Sequence, residues 1–215
     1  MIVLSDADIL FKLAACDLID DFLEAYGLTQ LDIRIAKPLR FSAATSKHRK
    51  RLGEIAHGKL MEFLRGIADI DVEADADFEA SLNEQTLNNI DAGEAALFAV
   101  CPRIPNSIIA TGDKRSLTGL IRAAAKNAIC ATLCMNLEYR VICFEMIVGR
   151  IVRSLGFEAV RDKLIVGREC DAGLRQWLGS TLDASEVRFM DGLKSYLNTL
   201  SRETGTLLAQ DFWVI

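Results

Sequence analysis

Two short apolar runs in this chain end in acid and pass at once into helical sequence. Ile2-Val3-Leu4-Ser5-Asp6 precedes Ile9-Leu10-Phe11-Lys12-Leu13, and Ser107-Ile108-Ile109-Ala110-Thr111-Gly112-Asp113 precedes a helical stretch over 114–126. Brief apolar runs bounded in this way read as strands buried on both faces, the kind found in parallel sheets whose connections are helices. Ligand sites in open sheets of this class form in the crevice outside the carboxyl ends of the strands, so Asp6 and Asp113 stand where chemistry is usually done. Asp91-Ala92-Gly93-Glu94 heads a further helical segment, Ala95-Ala96-Leu97-Phe98-Ala99-Val100, closed by Pro102 and Pro105. Three acids at three element ends can converge on one point.

The same alternation runs through the first part of the chain. Residues 8–26 read as an amphipathic helix or pair of helices stopped at Gly27, and Leu31 to Ile35 as a half-buried strand that Pro38 ends or whose edge it occupies. A helix over 44–67 follows, then a short strand at Ile70 to Val72, and the acidic segment 73–79 starts another helix. Ala128 to Thr132 reads as a last strand. From Asn136 onward the pattern is helical only, over 136–155, 157–165, 168–178 and 184–203, with glycines at the breaks. The expected architecture is a three-layer α/β domain with a parallel sheet at 1–132 and an all-helical C-terminal region at 133–215. Val141, Ile142, Phe144, Met146, Ile147 and Val148 make the tail apolar on more than one side, so it is expected to cover the first part or a second subunit, as in a homo-oligomer.

Composition removes several function classes. The chain of 215 residues is 51% hydrophobic with a mean hydropathy of +0.21, but charges interrupt each apolar stretch before it reaches the length of a membrane span. Asp6 and Asp8 fall inside what would be the core of a signal peptide, so a cytoplasmic protein is expected. The six cysteines include no CxxC pair and no histidine at zinc spacing, and Cys130 and Cys134 read as small apolar residues on one helix face. A net charge of −5 argues against generic affinity for nucleic acid. Arg34, Lys37, Arg40, Lys47, Arg49, Lys50 and Arg51, with at most a single acid among them, depart from that balance. Arg40, Lys47, Arg49, Lys50 and Arg51 are the candidate contacts to RNA phosphates, whereas His48 and His57 read as surface residues of the same helix.

Hard divalent cations such as magnesium and manganese take oxygen ligands, and enzymes that hydrolyse phosphodiesters use carboxylates to hold them. Asp6, Glu94 and Asp113 are candidate ligands, with Asp8 and Asp91 near enough in sequence to join them. Each acid also has a structural reading: Asp91 and Glu94 have capping-box spacing, and Asp6 and Asp113 can cap the helices that follow them.

Val3-Leu4-Ser5-Asp6-Ala7-Asp8-Ile9-Leu10, then Asp91-Ala92-Gly93-Glu94-Ala95-Ala96-Leu97, then Ala110-Thr111-Gly112-Asp113-Lys114-Arg115, resembles the pattern of PIN-domain metal-dependent ribonucleases, among them the VapC-type toxins of bacterial toxin–antitoxin pairs. The resemblance covers about residues 1–130. It implies that Asp6 is the first metal ligand, Glu94 the third acid and Asp113 the fourth, with Thr111 beside it and Asp8 orienting water. It further implies a magnesium or manganese ion, an RNA substrate and, for the toxin type, an antitoxin partner. The family's second acid has no counterpart in Pro38-Leu39-Arg40-Phe41-Ser42-Ala43-Ala44-Thr45, and Glu54 replaces it only if the helix register allows. Two alternatives stand beside this reading. One is a PIN-like scaffold that has lost catalysis and acts through its tail. The other is a haloacid-dehalogenase-like phosphotransferase using Asp6 and Asp8, although Ile9-Leu10 stands where that family has Gly-Thr.

Overall fold

The computed structural model describes residues 1–71, 76–77, 80, 90–179 and 184–210. In chain order the elements are β1 (Ile2–Ser5), α1 (Ala7–Ala15), α2 (Ile19–Tyr26), β2 (Ile33–Ile35), α3 (Lys37–Ala43), α4 (Ser46–Leu52), α5 (Glu54–Gly66), β3 (Ala68–Asp69), α6 (Ala92–Val100), β4 (Ser107–Thr111), α7 (Lys114–Ala124), α8 (Ala128–Asn136), β5 (Val141–Cys143), α9 (Phe144–Leu155), α10 (Phe157–Gly167), α11 (Ala172–Leu178) and α12 (Glu186–Thr204).

The five strands form one parallel sheet in the order β3-β2-β1-β4-β5. The chain builds outward from β1 through β2 to β3, then returns to lay β4 on the other side of β1. Right-handed crossovers on a sheet that reverses in this way put helices on both faces. The reversal also opens a crevice between β1 and β4 at their carboxyl ends, the switch point where ligands bind in such sheets. In register, Ser5 lies beside Ala110, so the loops after both strands start level.

Strands this short persist because both faces are covered. Val3, Leu4, Ile33, Ile35, Ile109, Ala110 and Val141 to Cys143 are fully buried, and each large apolar side chain so buried contributes about 1.5–3 kcal/mol. The predicted alternation of strand and helix is present through β4, with shifts at the ends. The 8–26 segment is two helices. The 44–67 segment is also two, α4 and α5, parted at Gly53, and Pro38 lies in the first turn of α3 rather than at a strand edge. β3 is two residues earlier than expected, at Ala68–Asp69. Val72 and most of the 73–79 segment lie outside the described residues.

Two expectations are corrected. Residues 128–132 are helical, because the Asn127 side chain accepts from the Ile129 and Cys130 backbone N–H groups and so caps α8, which then buries Cys130 and Leu133. The C-terminal region is not all helical either. Val141-Ile142-Cys143 is the fifth strand, pairing with Ile109, Ala110 and Thr111, and it runs into α9 with no intervening turn residue to mark its end. Near the end of the described chain, Leu208 bridges to Val141, and the Val141 N–H donates to the Leu207 carbonyl, so this stretch covers the outer edge of β5. Phe144, Ile147, Phe157 and Phe189 from the tail belong to the same apolar cluster as Val3 and Leu4. The sheet therefore takes four strands from residues 1–132 and its fifth from the C-terminal region.

Candidate functional site

A cleft of about 820 Å³ lies at the carboxyl ends of β1 and β4. Asp6 and Asp8 enter it from the β1 end, Asp91 and Glu94 from the start of α6, and Asp113, Lys114 and Arg115 from the start of α7. The sequence placed Asp6, Asp8, Glu94 and Asp113 together, and the fold brings all four to this cleft. The floor on the side of α3 is Ala36, Pro38 and Leu39, so apolar surface occupies the region expected for a further acid. Glu54 does not replace it. Its exposed carboxylate is bound by Arg49, with the guanidinium at 2.6 Å.

Each acid also serves the backbone. Asp6 caps α1: its Oδ1 accepts from the Ile9 N–H at 2.9 Å, while Oδ2 accepts from the Thr111 hydroxyl at 2.7 Å and the Gly112 N–H at 2.9 Å. These bonds pin the end of β1 to the end of β4. Burial drives the Asp6 carboxyl above its ordinary range against the pull of those bonds, and the neighbouring Asp8 adds to the rise. A β-carbon at Gly112 would stand 2.0 Å from Asp8 Oδ2, so a larger residue there would have to displace the Asp8 carboxylate. Asp91 and Glu94 form a complete capping box, with Glu94 N–H donating to Asp91 Oδ1 at 2.8 Å and Asp91 N–H to Glu94 Oε2 at 3.1 Å. Asp113 caps α7 by accepting from the Arg115 N–H at 2.8 Å, and the Arg115 guanidinium folds back onto its Oδ2 at 3.0 Å. Burial raises the Asp113 carboxyl, but the bonds from Arg115 outweigh it and the net direction is down.

Glu94 responds most strongly. Burial, then the charges of Asp91, Asp113 and Asp6, push its carboxyl up to about 8 despite the bond from the Asp91 N–H. Burial alone raises a carboxyl, and the neighbouring acids add negative potential to that rise. The donors are oxygens throughout, which suits a hard divalent ion. As the side chains stand, no three His, Cys, Asp or Glu groups among the described residues are gathered closely enough to hold one ion. Asp113 is tied to Arg115, and Glu94 to its own helix cap.

Behind the acids, Lys12 and Lys114 from the first part of the chain pair with Asp171 and Glu145 from the tail. Lys12, one turn along α1 from Asp8, pairs with it at 2.7 Å and with Asp171 at 3.0 Å. Burial and nearby Lys114 oppose the Lys12 charge, yet Asp8 and Asp171 overcome them and its pKa is raised. Lys114 pairs with the buried Glu145 at 2.7 Å and lies 5.8 Å from the ring centre of Tyr196. The sequence reading did not single out Lys12, Glu145 or Asp171. The available signal was Lys12 itself, a cation inside Ile9-Leu10-Phe11-Lys12-Leu13, where an apolar face requires a buried partner.

The basic segment divides. Arg40 is engaged within the fold: its guanidinium pairs with Asp69 at 2.7 Å and donates to the Leu64 and Ile67 carbonyls, tying α3 to the end of α5 and to β3. Arg40→Ala should lower stability by about 1–3 kcal/mol by stranding those carbonyls. A urea denaturation midpoint checks this, and an unchanged midpoint refutes it. Arg49 is engaged with Glu54, whereas Lys47, Lys50 and Arg51 are exposed on α4 outside the cleft lining. His48 and His57, expected on one helix, lie on α4 and α5, parted at Gly53. His48 stacks on Phe11 at 4.2 Å, and His57 Nε2 lies 2.9 Å from the Ala43 carbonyl oxygen.

Among the described residues no helix is long and apolar enough to cross a membrane. Compared with known proteins, the chain matches no family model, no curated protein and no solved structure.

Proposed function

We propose that the chain is a divalent-cation-dependent ribonuclease of the PIN type. The observation that carries this reading is the meeting of Asp6, Glu94 and Asp113, from three separate stretches, in one cleft at the switch point of the sheet, where Glu94 is raised by burial first and then by the charges of Asp91, Asp113 and Asp6. Asp6, Glu94 and Asp113 would hold the ion. Bound there, magnesium or manganese would lower the pKa of a water and stabilise the leaving oxygen of a phosphodiester. To take part, Asp113 releases Arg115, whose side chain is 83% exposed and moves at little cost. Arg115 then becomes available to a substrate phosphate. Asp8, held by Lys12, accepts a hydrogen bond from the attacking water. Exposed Lys47, Lys50 and Arg51 provide cationic surface for flanking RNA phosphates.

One feature favours a second reading. Pro38 and Leu39 line the cleft where the resemblance calls for a carboxylate, and each acid present already has a structural task. A scaffold that binds without cleaving would look like this. A thermal-shift titration with manganese separates the two readings. The nuclease reading expects the unfolding temperature of the parent to rise with manganese while that of Asp6→Asn does not. No rise in the parent, together with no cleavage of single-stranded RNA under magnesium or manganese, leaves the binding module. Equal rises in both proteins remove Asp6 from the site.

A further inference from the structure

α1 ends against Cys16, and the 3-10 turn Arg168–Cys170 that follows α10 ends in a second cysteine. Gly167 lets these two ends meet. A β-carbon on it would stand 2.3 Å from the Cys16 sulfur and 2.6 Å from the Cys16 Cα, so only glycine permits this approach of α10 to α1. The Cys16 and Cys170 sulfurs consequently lie 3.8 Å apart, in thiol–thiol contact across 154 positions of sequence. Cys16 is fully buried. Cys170 is partly exposed and lines a separate cavity of about 240 Å³, together with Phe11, Arg51 and Val166. Cys101, Cys130 and Cys143 are fully buried elsewhere in the core.

We infer that Cys16 and Cys170 are an oxidisable dithiol that small-molecule disulfides convert into an intramolecular disulfide. Access decides the order of events. Cys170, reached from the cavity, loses its proton to solvent and attacks one sulfur of the small disulfide, forming a mixed disulfide as the first small thiolate departs. Cys16 then loses its proton and attacks the Cys170 sulfur, and the second small thiolate leaves. The two departing thiolates take up two protons, so the protein is oxidised by two electrons and the small disulfide is reduced by two. The hydrogen bond with Cys170 and burial hold the Cys16 thiol above its ordinary pKa, which makes it the poorer first nucleophile, and its later attack is favoured by the 3.8 Å proximity of the Cys170 sulfur. Closing the sulfurs to a bond of about 2 Å takes side-chain rotation and a small shift of the three-residue turn. Asp171, the next residue, holds Lys12 and through it Asp8, so the dithiol adjoins the charge layer behind the acidic cleft.

The test uses the whole folded protein and oxidised glutathione as the probe, and it does not depend on what the cleft does. After incubation and quenching, the protein is unfolded, alkylated with iodoacetamide and mapped by mass spectrometry. The expected product is a monomer lighter by two hydrogens, with a linked Cys16–Cys170 peptide and four rather than six cysteines alkylated. It should unfold several degrees higher than the reduced form, because the link closes a long loop in the unfolded chain. Cys170→Ser, at the partly exposed position, should show neither the link nor the shift. A stable glutathione adduct on Cys170 that never resolves, a link between other cysteines, or full alkylation of all six after oxidation each overturns the inference.

Discussion

If the proposed nuclease reading holds, Asp6→Asn and Asp113→Asn should each lower magnesium-dependent RNA cleavage about 100-fold or more, the loss expected when an ion loses one of few charged ligands. The two variants test the site from opposite sides. Asn at position 6 can keep one carbonyl oxygen toward the Ile9 N–H, but its amide nitrogen then faces the Thr111 hydroxyl and the Gly112 N–H, of which the backbone group can only donate. That variant carries a stability cost of about 1–3 kcal/mol. Removing a buried charge beside Asp8 offsets part of it. Asp113 is tied mainly to Arg115, so its Asn variant should fold almost as the parent does. Loss of cleavage in both, with an intact unfolding transition in each, assigns the effect to the site. Cleavage at the parent rate in folded Asp113→Asn refutes a role for that carboxylate.

How much of this was legible beforehand depended on whether the cause was local. Asp6 could be read from β1 because a buried strand and the helix cap after it occupy adjacent residues. The capping box of Asp91 and Glu94 is likewise a pattern within four positions. The strand order β3-β2-β1-β4-β5, which sets β1 beside β4 and brings the acids together, came from the fold and was not part of the sequence pattern. What the sequence hid was long-range. Val141-Ile142-Cys143 is a strand only because β4 offers a free edge, and α9 starts so directly that its apolar residues blend into the helix. Arg40 looked like part of a basic surface because its acceptors are backbone carbonyls 24 and 27 positions away, which no side-chain pattern reveals. Asp171 supports Asp8 through Lys12 from the far end of the chain, and only the folded tail shows why a lysine sits in the apolar face of α1.

The raised carboxyl of Glu94 makes stability depend on pH in a direction opposite to that of an ordinary ion-paired acid. In the unfolded chain Glu94 titrates near 4.5, and in the fold near 8, so between those values the folded state binds the extra proton. Unfolding free energy therefore falls as pH rises through that window, by about 3–5 kcal/mol if the full shift is expressed. Asp6, also raised, acts in the same direction. Asp113 and Asp171 are lowered, and their contributions are lost only at pH values below the ordinary range of Asp, outside this window. Glu94→Gln, which keeps an acceptor for the Asp91 N–H, should flatten most of the decline and be more stable than the parent at pH 8. A cation in the cleft would do for the parent what the substitution does, by compensating the charge instead of removing it. Its binding must displace the Glu94 proton, so the rise in unfolding temperature with manganese should be small at pH 5 and grow toward pH 8. Denaturation curves across pH, with and without manganese, check both halves. Parallel curves for parent and Glu94→Gln would show that this carboxyl does not carry the strain of the cleft, and the electrostatic case for an ion there would go with it.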